Sequence, residues 1–232
     1  AHLGSSLSCV DLISYIYEFI INKKNKNKLV LSKGHAASTL YSVLYRKKYI
    51  SKKKFMSYCK VGSLLEEHPS PNIKGVECAT GSLGHGFPFS CGLALANKIN
   101  KKNVKTIVMI SDGECNEGTT WEAAMFAATQ NLINLTLIID YNKWQATGRS
   151  DEILKIKPLD KKFKSFGWDT IVIDGHNFKQ IKSAFKKKNI RPKVIIANTV
   201  KGSGIDFMED DNNWHYRSPN KIQMNDILKK LS

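Results

Sequence analysis

Long apolar runs are the first thing this 232-residue chain lacks. No stretch approaches the ~18 uninterrupted apolar residues that a membrane span requires. The best candidate, residues 10–21, is interrupted by Asp11 and Glu18. No basic-then-apolar leader opens the chain, so secretion has no support, and with no Met at position 1 the natural product is expected to extend further back. Cysteine is sparse, odd in number and without a C-x-x-C pair: Cys9, Cys59, Cys78, Cys91 and Cys115. That argues against a disulfide frame or a zinc site and makes the cytoplasm the expected location. Arginine is rarer still. Of 36 basic residues only Arg46, Arg149, Arg191 and Arg217 are arginine, so the net charge of +16 is almost wholly lysine. Readers of nucleic acid lean on arginine forks, and no zinc-finger, helix-turn-helix or RNA-binding signature is present. The lysines read as solvated faces that mildly steer anionic ligands. Neither nucleic acid nor membrane is an expected partner. A basic binding module, the reading from another function class, would instead bind nucleic acid with a steep salt dependence.

What is present is an ordinary globular composition, 42% hydrophobic and 24% charged, enough for one large α/β domain with a buried core. Ser8 followed by Asp11 predicts a capping box opening a helix to about Ile21, apolar nearly all round and therefore buried. Residues 22–28 form a charged loop, 29–31 a short strand, 34–45 a helix and 52–58 another. A long irregular stretch follows, carrying Pro69, Pro71, Gly75, Gly81 and Gly84, and loops of that length are usually functional or disordered. From Gly84 onward the pattern becomes regular. Helices are predicted up to Lys98, over 119–132 and over 177–187, and strands over 105–111, 135–140, 168–174 and 193–199. Continuous Ile/Val/Leu strands alternating with helices predict a parallel sheet covered by helices on both faces, with ligands at the carboxyl ends of the strands. Residues 221–231 read as an amphipathic tail helix.

The most informative segment is Ser111-Asp112-Gly113-Glu114, followed thirty positions after Asp112 by Asn142. Asp112 ends one predicted strand and Asn142 lies just past the next, so both can converge on one sheet edge. A carboxylate, an amide oxygen and a nearby main-chain carbonyl are hard ligands, suited to Mg²⁺ or Ca²⁺ with phosphate oxygens completing the shell. Gly113 lets the backbone approach an anion, and a Thr119-x-x-Glu122 capping box is expected to open the adjacent helix. Singly, Asp112 and Asn142 would also pass as turn formers. The stripe Trp121, Ala124, Met125, Ala128, Leu132 has helical spacing and reads as core.

Asp112-Gly113, a spacer and Tyr141-Asn142 resemble the thiamine diphosphate motif G-D-G…N-N, with Ser111 for its first Gly and Tyr141 for its first Asn. The further segments resemble transketolases, in order along the whole chain. His2-Leu3-Gly4 resembles G-H-P-G, with Ala1 and Leu3 departing, and residues 32–36 (SKGHA) resemble S-x-G-H-A. Glu67-His68-Pro69 resembles G-H-P. Residues 80–86 (TGSLGHG) resemble T-G-x-L-G-Q-G, with His85 in place of Gln. The last stretch, Lys201-Gly202-Ser203-Gly204, Phe207-Met208-Glu209 and Trp214-His215, resembles K-G-x-G…F-M-E…W-H-G, with Tyr216 where the pattern has Gly.

The resemblance implies a thiamine-diphosphate-binding fold of the diphosphate-binding (PP) type over residues 1–232, with a tail segment from about 202. It implies Mg²⁺ (Ca²⁺ as a substitute) on Asp112, Asn142 and the main-chain carbonyl of Trp144. It further implies cofactor contacts from His35, Gly81, Leu83, Asp112, Gly113, Glu114, Asn142 and His215, and catalytic roles for His2, His35, His68, His215 and Glu117. Glu117 equally suits the start of a helix, and His176 equally suits a turn. Four loop histidines fit chemistry that moves protons between hydroxyl and carbonyl. The implied activity is transfer of a two-carbon ketol unit from a ketose phosphate to an aldose, as one subunit of a split transketolase. The alternative is another thiamine diphosphate enzyme, of the 1-deoxyxylulose-phosphate-synthase or 2-oxo-acid dehydrogenase kind. The pyrimidine-binding and carboxy-terminal domains are expected on a companion chain, in an assembly of two plus two, with this chain inactive alone.

Overall fold

Strands made of unbroken Ile, Val and Leu cannot leave one face in water, so they collect into a sheet with helices on either side. In the computed structural model, which describes residues 2–22 and 25–231, five such strands form one sheet. They are β1 (Lys28–Leu31), β2 (Thr106–Ser111), β3 (Leu135–Tyr141), β4 (Asp169–Asp174) and β5 (Lys193–Asn198). All pairings are parallel, in the order β1-β2-β3-β5-β4. Ser111 stands in register with Asp140, so the carboxyl ends of β2 and β3 lie level.

Strand alternation divides the core in two. Ile107, Met109, Ile138, Ile195 and Ala197 pack on one side with α2 (Val10–Tyr15), α3 (Ala37–Arg46) and α9 (Phe178–Lys186). Val108, Ile110, Leu137, Ile139, Val194 and Ile196 face α5 (Gly86–Ile99), α6 (Gly118–Thr129) and α8 (Leu159–Ser165). One edge strand departs from the expected cover: β4 is exposed at Val172 and Asp174, whereas β1 at the other edge is largely buried.

The helix expected from Ser8 to about Ile21 is instead two pieces, α2 and a π-helical turn over Ile16–Ile20, and a separate α1 (Leu3–Leu7) precedes it. No capping box forms at Ser8. Cys9 is the N-cap of α2 without a side-chain cap, and the Ser8 hydroxyl is drawn inward to Asp140 Oδ2 at 2.6 Å. The second expected capping box is absent as well. Glu117 is the N-cap of α6, and Thr119 Oγ1 donates to the Gly84 carbonyl at 2.8 Å. The predicted helix over 52–58 shortens to α4 (Lys52–Phe55). On α6 the buried face runs through Thr120, Ala123, Ala124 and Ala127, leaving Met125 exposed rather than in the core. Of the expected charged loop, Lys23 and Lys24 lie outside the described residues, as do Ala1 and Ser232.

The tail folds back onto the amino terminus before ending in α10 (Lys221–Leu231). Ile205, Met208 and Trp214 pack with Leu3, Leu7 and Ile227, and the Gly202 N–H donates to the Gly4 carbonyl at 2.9 Å. Gly202 has φ +77°, and a Cβ there would lie 2.2 Å from the Met208 carbonyl oxygen. Only glycine suits this turn, which carries the tail to the carboxyl edge of the sheet.

Candidate functional site

Asp112 follows β2 and Asn142 follows β3, and both are buried at the same sheet edge. The Asp112 N–H donates to the Asp140 carbonyl at 3.3 Å, continuing the β2–β3 ladder. The Asp112 carboxylate accepts from the Gly113 N–H at 3.0 Å and from Ser150 Oγ at 2.8 Å. Burial nevertheless pushes its pKa up to about 7, with Asp140 adding to the rise against the Ser150 bond. Lys33, the opposite charge that acts on it, offsets this only in part. Asn142 Oδ1 accepts from the Trp144 N–H at 3.0 Å, and its amide donates to Ser8 Oγ at 3.4 Å. A tight turn over 142–150 lies above Asp112, closed by a bridge between Trp144 and Arg149. The Arg149 guanidinium stacks 3.8 Å over the Trp144 ring and grips Asp210 with two bonds of 2.6 Å. Gly113 faces Gln145, which a Cβ would approach to 3.1 Å, and the Gln145 side-chain amide nitrogen is buried without a hydrogen-bond partner.

Beneath this edge runs a closed polar network that the sequence does not single out. Lys33 is fully buried and paired with Asp140 Oδ2, and its ammonium also donates to the Ser5 carbonyl at 2.9 Å. Thr199 holds the other Asp140 oxygen, and Ser8 joins Asp140 to Asn142. Glu114, expected at the cofactor, is fully buried. Its Oε1 accepts from Ser32 Oγ and from the Gly84 N–H, clasping two loops to the tip of β2, while Oε2 has no partner. Burial raises its pKa to about 7 as well.

Four histidines come together from four separate segments of the chain. His2 lies with its ring centroid 5.4 Å from His35, 6.2 Å from His68 and 5.0 Å from His215, and His35 is 6.1 Å from His215. The glycines explain how the loops approach. A Cβ on Gly34 would lie 2.7 Å from the Thr80 carbonyl carbon, and one on Gly81, whose φ is +148°, would lie 2.7 Å from the His68 ring. Burial lowers the His215 pKa to about 3, with Lys201 reinforcing the shift, and holds His35 well below the usual imidazole range. Burial also lowers His2, against the pull of Glu67. His2 Nδ1 is 3.3 Å from Glu67 Oε1, close enough for an ion pair if charged but not aligned as a hydrogen bond. These three imidazoles are therefore neutral near pH 7.

Lys201 links the two halves of the site. It is fully buried and donates to Asn212 Oδ1 at 2.6 Å and to His215 Nδ1 at 3.0 Å, with its ammonium 5.9 Å from the Trp144 ring. No carboxylate pairs with it among the described residues, and burial pulls its pKa down to about 8. Lys33 and Lys201 stand in recognisable segments, but thirty other lysines hide them; a lysine beside glycine in an otherwise apolar loop is the available signal.

The remaining expected residues are placed less tellingly. Gly81 is beside His68, as described, and Leu83 is half-buried in the same loop. Glu117 is exposed at the start of α6, against Gly84, and no described contact joins it to the histidines. His176 is more than a turn former. Its Nδ1 is 2.7 Å from Asp11 Oδ2 and its Nε2 accepts from the Val200 N–H at 3.0 Å, tying α2 to the loop that carries Lys201. No cluster of three or more His, Cys, Asp or Glu able to hold a metal occurs among the described residues.

A family model described as "Transketolase, thiamine diphosphate binding domain" matches residues 2–229. One subunit of the apulose-4-phosphate transketolase of Phocaeicola vulgatus is 33% identical over 241 residues, covering 100% of this chain and 86% of that protein. A 6-deoxy-6-sulfo-D-fructose transketolase subunit of a Clostridium species is 37% identical over 219 residues, covering 90% of this chain and 80% of that protein. Human transketolase is 32% identical over 241 residues, but there the match covers 38% of the longer chain. Among solved structures, the transketolase of Campylobacter jejuni superposes with a TM-score of 0.82 at 26% identity, covering 92% of this chain and 39% of that one.

Proposed function

This chain belongs to the transketolase family, as its thiamine diphosphate-binding domain, and from that premise we propose that it is the diphosphate- and Mg²⁺-holding subunit of a split transketolase. Residues 1–232 act in this reading as one cofactor-binding domain with a tail from about 202, working in the cytoplasm. The companion chain supplies the pyrimidine-binding and carboxy-terminal domains, and two of each chain assemble. The relatives named as subunits support the existence of a companion chain, since this chain spans 80% or more of their length. Ketose and aldose phosphates are the substrates.

The observation that carries the reading is the pairing of opposite needs at one sheet edge. Among the described residues neither the buried Asp112 carboxylate nor the buried Lys201 ammonium has an ion-pair partner within contact distance, and the more distant opposite charges they feel do not offset their burial. A metal diphosphate meets both demands at once. Asp112, Asn142 Oδ1 and the Trp144 carbonyl would hold the metal, a set of hard oxygens suited to Mg²⁺. Lys201 would neutralise phosphate oxygens, and the backbone at Gly113 admits them. Thiamine diphosphate, when bound, supplies the carbon nucleophile and the electron sink for breaking and making the carbon–carbon bond. The chain's own part in that chemistry is proton handling and orientation. His2 and His35, neutral near pH 7, can each accept a proton from a sugar hydroxyl or donate the ring N–H to a carbonyl oxygen, while His215, whose Nδ1 accepts from Lys201, presents Nε2–H as a donor. His68, beside Gly81, completes the polar wall that orients the hydroxyls. Glu117, exposed, is assigned to the subunit interface rather than to proton transfer.

In the complex reconstituted with its companion chain, Asp112→Ala is expected to reduce Mg²⁺-dependent thiamine diphosphate binding at least 100-fold by calorimetry, about 2.7 kcal/mol. Undiminished binding would overturn the metal assignment. Product analysis with a ketose phosphate and with pyruvate tests the reaction: ketol transfer supports the reading, and decarboxylation of pyruvate without transfer supports the alternative enzymes.

A further inference from the structure

Tyr216 departs from the pattern that the rest of its segment follows, and the structure places that departure at the histidine cluster. Its ring centroid lies 4.6 Å from His215 and 5.2 Å from His2, edge-on to both. Yet the residue is 67% exposed, so the core does not need it. A single exposed aromatic is unremarkable in itself; its position against two of the four clustered imidazoles is what sets it apart.

The backbone beneath the ring is held firmly. Tyr216 closes a 3₁₀ turn over Asn212–His215. Within that turn, Asn212 donates to the Ala146 carbonyl at 3.0 Å, Trp214 Nε1 donates to the Phe207 carbonyl at 2.8 Å, and His215 is bonded to Lys201. The turn that carries the ring is thereby tied to the Ala146, Phe207 and Lys201 segments. Among the described residues its hydroxyl makes no hydrogen bond, so what the ring contributes at the cluster is bulk. Glycine, the pattern's residue, would leave that volume open.

We propose that Tyr216 is a specificity-determining residue that fills the space beside His2 and His215 and thereby limits the length and branching of the sugar reaching them. The inference rests on the ketol-transfer reading above and specifies its substrate class: short, unbranched aldose acceptors are favoured over five-carbon or branched ones. A hydrophobic or steric pocket discriminates by roughly 10–200-fold per group that it accepts or excludes, which sets the size of effect to seek.

The test uses the complex with the companion chain, loaded with thiamine diphosphate and Mg²⁺. kcat/KM is measured for a two- or three-carbon aldose and for a five-carbon aldose phosphate. Tyr216→Gly and Tyr216→Ala should each raise the long-to-short ratio about 10-fold, while Tyr216→Phe leaves it within about twofold and thiamine diphosphate affinity stays unchanged in all three. An unmoved ratio in the Gly and Ala variants overturns the proposal. A falling ratio also overturns it, because the ring would then be a platform for long sugars rather than a barrier. If the wild-type complex transfers no ketol unit to any acceptor, the underlying reading fails and the proposal falls with it. If the wild-type complex is active and the ratio is unmoved, only the role of Tyr216 is lost.

Discussion

Lys33 and Lys201 are both fully buried, both follow a strand by a few residues, and both lie at the carboxyl edge of the sheet. Their surroundings are opposite. Around Lys33 every charge is answered: its ammonium meets Asp140 and the Ser5 carbonyl, and Asp140 is held on its other side by Ser8 and Thr199. Burial, the largest single influence, works against the charged amine, but Asp140 together with Cys9 and Asp112 outweighs it and the Lys33 pKa ends raised. Lys201 has only neutral partners, Asn212 and His215, and burial wins, bringing it to about 8. A satisfied network is scaffold. In the proposed reading, a buried ion without a contact partner, with Asp112 of opposite sign at the same sheet edge, is where a ligand would complete the electrostatics.

The comparison is broken most readily at the satisfied corner. Lys33→Ala leaves Asp140 as a buried carboxylate without its cation, and removing one partner of such a pair typically costs about 3–5 kcal/mol. Urea denaturation should show a loss of that size. Removing both charges with Lys33→Met and Asp140→Asn should recover most of it, because replacing a buried pair outright is often close to neutral. A Lys33→Ala loss below about 1 kcal/mol would mean that the corner is not a charge-locked scaffold.

pH separates the two corners in sign. His215 titrates at about 3 when folded, against 6.5 as its ordinary value, so the folded state binds fewer protons than the unfolded one between those limits. Its contribution to stability is therefore complete above pH 6.5 and is lost as pH falls towards 3. The slope is about 1.4 kcal/mol per pH unit for this single group. The raised Lys33 pKa acts at the other end: that stabilisation is complete below the ordinary lysine value of 10.5 and is lost as pH rises through the folded value. Wild type and His215→Gln, compared by denaturation from about pH 7 to about pH 4, should diverge by about that slope, with the variant the less acid-sensitive. Parallel profiles would show that His215 is not held neutral by the fold.

Much of this architecture is legible in the sequence. The strands announce themselves as continuous Ile/Val/Leu runs, and the spacing from Asp112 to Asn142 places both at one edge, since one helix and one strand separate them. His35 and His68 are visible because each sits beside Gly or Pro, whereas His2 and His215 stand out only through the segments that resemble the family pattern. Other features depend on partners remote in sequence. Ser8 has the spacing of a helix cap because local pattern cannot reveal Asp140, 132 residues away. Thr119 misleads for the same reason, its hydroxyl being taken by Gly84. Met125 has the spacing of a core residue, but which face of α6 is buried depends on how closely α5 and α8 approach. Lys33 and Lys201 carry no local mark strong enough to separate them from the solvated lysines.

The smallest expected effect is also the sharpest test of the contrast between the lysines. Lys201→Met removes a buried charge that has no ionic partner, so the desolvation cost disappears with the two hydrogen bonds and the net change in stability should stay within about 1 kcal/mol. Ligand binding should suffer instead. A charge-assisted contact contributes about 1.5–3 kcal/mol, equivalent to roughly 10–100-fold in affinity, and calorimetry on the reconstituted complex should show thiamine diphosphate binding weakened by that factor. Lys201→Arg keeps the charge but not the compact shape, and should fall between the two. Were Lys201→Met to destabilise the fold as strongly as Lys33→Ala while leaving cofactor affinity intact, both lysines would be scaffold, and the buried charge at Asp112 would need another explanation.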